Sequence, residues 1–160
     1  MSPSDSHAVL LVEDSRDDAA LAFHALSQEG LAAKVRWVGD GVEARDALFG
    51  PASDGFRAGL RLILLDVHLP RLNGIEVLRG LKENPSSRRI PVVMLTSSEE
   101  ACDVVTSYDL GANGYLVKGA DYVSYTRAVV DAVRYWTSVN TSVTETGEVH
   151  RASGPRPSSA

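Results

Sequence analysis

The stretch LRLILLD, residues 60–66, is the most hydrophobic run of the chain, and it ends on an aspartate. A run this short and this apolar, bounded by turn residues, reads as a strand buried on both faces. Three further runs have the same form: AVLLVED (8–14) ends on Glu13 and Asp14, PVVMLT (91–96) on Thr96, and GYLVK (114–118) on Lys118. Strands buried on both faces belong to a parallel sheet, where every strand points the same way. Their ends then meet at one edge, and ligands bind where the strand order reverses. The pattern therefore draws three carboxylates, a hydroxyl and an ammonium toward one pocket.

The segments between these runs carry helical spacing. Ser15 or Asp17 caps a helix over about 16–28, with Ala19, Ala22, Phe23 and Leu26 at helical intervals, and Gly30 stops it. Residues 34–38 read as a short strand, 42–49 as a short helix, and GPASDGFRAG (50–59) as an extended, turn-rich loop. The loop HLPRLNG (68–74) leads into a helix with Ile75, Leu78 and Leu81 on one face, and Asn84-Pro85 ends it. Ser97 or Ser98 caps the next helix, with Glu99 and Glu100 in its first turn and Gly111 closing it. Asp121 caps a last helix carrying Val123, Val129, Val130, Val133 and Trp136. Five strand–helix alternations predict an α/β fold, a doubly wound five-stranded parallel sheet of order 2-1-3-4-5. Its switch point falls between the first and third strands and sets Asp14 beside Asp66. The expected organisation is an N-terminal extension over 1–7, one domain over 8–140 and a flexible tail over 141–160, where Ser, Thr, Gly and Pro replace periodicity.

A chain of 160 residues with 44% hydrophobic and 23% charged content fits a single soluble domain with a real core. The net charge of −5 argues against a general nucleic-acid binder. No apolar stretch approaches the ~20 residues of a membrane span, and MSPSDSH lacks the pattern of a secretion signal. Cys102 is the only cysteine, which excludes an internal disulfide and a cysteine metal cluster and fits a reducing cytoplasm. His7, His24 and His150 form no metal-ligand spacing.

Three neighbouring carboxylates repel one another, so a cation belongs among them. Only oxygen donors are present, which favours Mg²⁺ over zinc, with Glu13, Asp14 and Asp66 as the protein side chains. An aspartate at a strand end also serves as a nucleophile toward phosphorus, giving an aspartyl phosphate. Lys118 and Thr96 then supply a charge and a hydroxyl to the transferring oxygens.

On these stretches, LLVEDS, LLDVHLPRLNGIEVL, IPVVMLTSS and LGANGYLVK, the chain resembles the receiver domain of two-component response regulators. The spacings of 30 residues from Asp66 to Thr96 and 22 from Thr96 to Lys118 match that family as well. The resemblance implies a flavodoxin-like (βα)5 fold and a signalling protein rather than an enzyme, acting in a Mg²⁺-dependent phosphorelay. It implies that Asp66 accepts a phosphoryl group from a sensor histidine kinase, and that Glu13, Asp14, Asp66 and the His68 backbone carbonyl hold the metal. Thr96 and Lys118 would bind the phosphoryl oxygens. Thr96 and Tyr115 would form a switch that alters the surface of the fourth helix, fifth strand and fifth helix of the alternation. The side chain of His68 stands where the family tunes the lifetime of the phosphoryl group.

The chain departs from the family at Lys118-Gly119, where most receivers carry a proline after the lysine. A cis bond without proline costs about 3 kcal/mol, so a trans peptide is expected there. Tyr122, Tyr125, Tyr135 and Trp136 crowd the last helix and cannot all lie on one buried stripe. That motivates a homodimer through the face just named, and no partnership with nucleic acid or membrane. No output domain is visible after the last helix, so a stand-alone receiver is expected. IPVVMLTSSEE, SYDLGANGYLVK and the Tyr135-Trp136 pair resemble the single-domain regulators paired with phytochrome-type kinases, which would make the input light. The rival reading, a phosphatase of the haloacid dehalogenase type, wants a second acid two residues after the nucleophile. His68 occupies that place.

Overall fold

The computed structural model describes residues 7–97, 101–119 and 121–151. Five strands, β1 (Val9–Val12), β2 (Val35–Val38), β3 (Leu62–Asp66), β4 (Val92–Thr96) and β5 (Gly114–Val117), form one sheet of order β2-β1-β3-β4-β5. All four pairings are parallel. Every residue of β1, β3 and β4 is buried, which is why these three segments read as unbroken apolar runs. The edge strand β2 breaks that pattern, with Arg36 and Trp37 exposed between buried Val35 and Val38.

Among the described residues the sheet is covered by the α-helices α1 (Arg16–Gln28), α2 (Gly41–Phe49), α3 (Asp54–Gly59), α4 (Gly74–Glu83), α5 (Ala101–Asp109) and α6 (Tyr122–Arg134). Helices α1 and α6 share one face, where Ala22, Leu26, Val129 and Val133 pack on Val9, Leu11, Leu64 and Leu95. On the other face Leu48, Phe56, Val77, Leu78 and Leu81 meet Leu10, Val12, Ile63, Leu65 and Met94. The polar ends of the helices follow their capping residues. Ser15 Oγ accepts from Asp18 N, Asn73 Oδ1 from Ile75 N and Asp121 Oδ1 from Val123 N. Gly30 closes α1 in the left-handed region, with φ of 69°.

Two segments depart from the sequence reading. The stretch 50–59 contains helix α3 rather than a loop. Its composition argues for turns, but Phe56 enters the core and Arg57 is buried with its guanidinium donating to the Leu48 carbonyl at 2.7 Å and to Asp54 at 2.8 Å. Tertiary contacts decide a helix this short, not local propensity. Beyond residue 140 the chain forms a small antiparallel hairpin of β6 (Ser142–Val143) and β7 (Val149–His150), where a flexible tail had been expected. Glu145 pairs with Arg57 at 3.3 Å, and Arg89 donates to the Thr144 carbonyl at 3.2 Å, which holds the hairpin against α3 and the approach to β4. Residues 1–6 of the expected extension, the tail after 151, and Ser98, Glu99 and Glu100 lie outside the described residues.

Candidate functional site

The carboxyl ends of β1, β3, β4 and β5 bring the sequence-predicted residues to one edge of the sheet. Glu13 and Asp14 follow β1, Asp66 ends β3, Thr96 ends β4 and Lys118 follows β5. Glu13, Asp66 and Thr96 are buried, while Asp14 is exposed. The Lys118 backbone N–H donates to the Thr96 carbonyl at 2.7 Å, so the register of β4 and β5 fixes where the lysine starts.

Oxygens of Glu13, Asp14 and Asp66 all lie within 4.8 Å of one another. A hard divalent cation with oxygen ligands at about 2.0–2.1 Å places opposite ligands about 4.2 Å apart. This set of three carboxylates fits such an ion with small side-chain shifts. Histidine and thiolate donors, which zinc prefers, take no part in it.

Lys118 Nζ contacts three carboxylates at once: Glu13 at 2.5 Å, Asp18 at 3.1 Å and Asp66 at 3.2 Å. Burial alone would depress this ammonium, but the Glu13 hydrogen bond and the charges of Asp66 and Glu13 outweigh it and push it above the ordinary lysine value. Glu13 is pushed up to about 7, first by desolvation and then by the Asp66 charge, against the pull of Lys118.

Backbone donors complete the frame. His68 N–H donates to Asp66 Oδ1 at 3.0 Å and Ser15 N–H to Glu13 Oε1 at 3.1 Å. Gly74 N–H reaches the Val67 carbonyl at 2.9 Å, and a Cβ on Gly74 would collide with the Asp66 carbonyl oxygen. Only glycine allows α4 to start this close to the end of β3. The imidazole of His68 is exposed, 3.8 Å from Asp103. Tyr115 is partly buried against the core beside β4, paired in register with Met94. The Lys118–Gly119 peptide is trans, as expected.

Three residues of the site were missed in the sequence. Asp18 pairs with Lys118 from the first turn of α1; an acid in the first turn of the helix that follows the Glu13-Asp14 pair is the signal that could have found it. Trp37 donates its indole N–H to the Glu13 carbonyl at 2.8 Å and pins the acidic loop to the edge strand. Tyr125 lies under Lys118, with 5.7 Å from Nζ to the ring centre. No local pattern marks either aromatic.

Residues 9–129 match the family described as "Response regulator receiver domain". The "Probable methanogenesis regulatory protein FilR2" of Methanothrix harundinacea is 36% identical over 138 residues, covering 86% of this chain and 88% of that protein. Response regulator Rcp1 of Synechocystis is 36% identical over 128 residues, covering 80% and 87%. The Mn²⁺-bound structure of Rcp1 superposes with a TM-score of 0.75, over 84% of this chain and 96% of that one. The structure of the phosphorylated cyanobacterial phytochrome response regulator RcpA superposes with a TM-score of 0.76 at 36% identity, over 85% and 98%. Nothing among these supports the phosphatase reading. With the parallel sheet, the acidic trio and the lysine in register, the chain belongs to the response regulator receiver family and is a signalling protein with a divalent-cation site.

Proposed function

We propose that Asp66 is the phosphoacceptor of this receiver and takes its phosphoryl group from a sensor histidine kinase. The observation that carries the reading is Asp66 itself. It is a buried carboxylate at the switch point of the sheet, with one oxygen held by the His68 N–H and the other by Lys118. In the transfer an Asp66 oxygen forms a bond to phosphorus while the bond from phosphorus to the kinase imidazole nitrogen breaks. The electron pair of the broken bond stays on that nitrogen, and the imidazole leaves as a neutral ring that keeps the proton already carried by its other nitrogen, so no further reactant is required. Glu13, Asp14, Asp66 and the His68 carbonyl would hold Mg²⁺, which neutralises charge on the transferring oxygens when bound. Lys118 supplies a second positive charge from the opposite wall, and the Thr96 hydroxyl stands at the end of β4 to donate to a phosphoryl oxygen.

The switch follows from the same placement. Thr96 turning toward a phosphoryl group would vacate space next to β5 for Tyr115, which alters the face made by α5, β5 and α6. That face carries exposed Val105, Tyr108, Val117, Tyr122 and Val123, and this supports its use as a homodimer contact. The same proposal makes phosphotransfer and loss of the group self-catalysed, and the protein cytoplasmic. It also leaves the chain without a nucleic-acid or membrane partner; among the described residues no helix is long and apolar enough to cross a membrane. A phytochrome-type kinase as the donor is supported by the likeness to the phytochrome response regulator RcpA. FilR2, whose name concerns methanogenesis, is the counterweight.

Intact-protein mass after treatment with acetyl phosphate and Mg²⁺ tests the acceptor, with wild type compared to Asp66→Asn. A gain of one phosphoryl group in wild type alone is expected. An equal gain in both proteins would refute the role of Asp66. Sedimentation of Val123→Glu against wild type tests the dimer, since Val123 is exposed whereas Trp136 packs on the core and its substitution would confound folding. A wild type that stays monomeric with and without the phosphoryl group refutes it.

A further inference from the structure

The opposite edge of the sheet, where β4 and β5 begin, holds a concavity of about 650 Å³ between the end of α4, the end of α6 and the β6–β7 hairpin. Its polar wall is cationic, with Lys82, Arg88 and Arg89, and its lining includes no aspartate or glutamate. Among the described residues none of these three cations pairs with a carboxylate. Lys82 Nζ spends its donors on neutral oxygens: the Ile90 carbonyl at 2.9 Å, the Arg88 carbonyl at 3.1 Å and Asn113 Oδ1 at 3.3 Å. Desolvation depresses this ammonium to about 8, because nothing negative stands beside it. A half-buried ammonium whose neighbours are all neutral carries an unanswered charge, and an anion entering the cavity would answer it.

We propose that this concavity is a binding site for a small multivalent oxyanion of the phosphate-ester class. Arg88 and Arg89 offer forked N–H donors suited to phosphate oxygens, and Arg89 keeps four of its five donors beyond its bond to Thr144. Lys82 contributes charge from the floor. Trp136 lines the cavity as well and gives an organic substituent an apolar surface. A ligand there would bridge α4, the approach to β4 and the hairpin, three parts of the chain now joined near the cavity by the Lys82–Ile90 and Arg89–Thr144 contacts.

The test is an amide NMR titration of the whole protein with pyrophosphate and, separately, with AMP. Both are run in chelator, so that the carboxylate site takes no part, and at matched ionic strength. Saturable shifts are expected at residues 82–91, 113 and 136–147 and not at residues 13, 66 or 118. Arg88→Gln, an exposed position, should weaken binding about tenfold, the loss of one charge-assisted hydrogen bond. Lys82→Met, which removes the charge of the floor, should weaken binding as well. Tighter binding of AMP assigns an organic phosphate ester, and tighter binding of pyrophosphate an inorganic anion; either supports the site. Shifts that grow linearly without saturation, or that survive unchanged in Arg88→Gln and Lys82→Met alike, overturn it. So does capture of an acidic peptide with no binding of either small anion.

Discussion

Replacing Lys118 with methionine keeps the length of the side chain and removes its charge. In the folded chain that charge answers Glu13, Asp18 and Asp66 together, and Glu13 is fully buried. Removing one partner of a buried pair costs about 3–5 kcal/mol. The lower end applies here, because Glu13 can escape by taking up a proton. Its carboxyl already sits up at about 7, raised by desolvation and held from going higher chiefly by Lys118. A carboxyl raised in the fold gives stability below its unfolded value near 4.5 that is lost as the pH climbs to the folded value. In wild type that loss ends near pH 7; in Lys118→Met it continues above. Urea denaturation in chelator should therefore show a deficit of about 3 kcal/mol for the variant near pH 8, growing by roughly 1–2 kcal/mol between about pH 7 and 9 and flat below. Mg²⁺ should bind the variant more tightly and recover part of the deficit, since Glu13 and Asp66 lose their competing cation. A variant as stable as wild type at pH 8, or with unchanged Mg²⁺ affinity, would refute the view that Lys118 is the resting counter-charge of this site.

Asp14→Asn removes the exposed acid of the trio. It should weaken Mg²⁺ binding at least tenfold, read by titration calorimetry, while leaving the urea midpoint in chelator unchanged or raised. Gly74→Ala drives a methyl into the Asp66 carbonyl and should cost about 3 kcal/mol or more in denaturant unfolding, with loss of the phosphoryl adduct. Lys82, depressed to about 8 by burial, favours the neutral amine in the fold, so wild type should lose stability as the pH falls from about 10.5 to 8. Lys82→Met should lack that slope, a difference of roughly 1–2 kcal/mol after allowing for partial solvent exposure, measured by urea midpoints across the window. His68→Ala should change the rate at which the adduct decays, followed by intact mass, because the imidazole stands exposed two residues from the acceptor.

What the sequence revealed about this fold came from burial. Strands β1, β3 and β4 are covered on both faces, so their identity survives in composition alone, and the residues at their ends could be read as one site. The reading failed where stability is tertiary. Helix α3 has six residues and no side-chain cap; it exists because Phe56 fills the core and Arg57 finds Leu48, Asp54 and Glu145, one of them 88 residues away. The hairpin after residue 140 depends on the same arginine, so one misread segment concealed the other. Within the site, the trio and Lys118 were legible because each closes an apolar run. Asp18, Trp37 and Tyr125 were not, since each enters from a helix or an edge strand through a contact that only the folded chain creates.

Charge counting makes Lys118 the element on which signalling would turn. Four carboxylates, Glu13, Asp14, Asp18 and Asp66, surround one ammonium at this edge. On the proposed acceptor role, phosphorylation exchanges the single charge of Asp66 for a group of about −1.5 to −2 with three strong acceptor oxygens. Two of the three partners of Lys118, Glu13 just after β1 and Asp18 in α1, do not change chemically. The third is the one that grows in charge and reach. Lys118 must then shift toward the phosphoryl group, and Lys118 is continuous with β5, whose register is tied to Thr96 through the backbone bond at 2.7 Å. With Gly119 next in the chain, no proline ring fixes the backbone φ after the lysine, so the start of the β5–α6 connection can follow the shift. The pull of one ammonium away from Glu13 and Asp18 is thus transmitted to the same strand that carries Tyr115. A Gly119→Pro substitution stiffens this step without touching any charged group, and it should leave the adduct formed while reducing the change at α5, β5 and α6 seen by NMR.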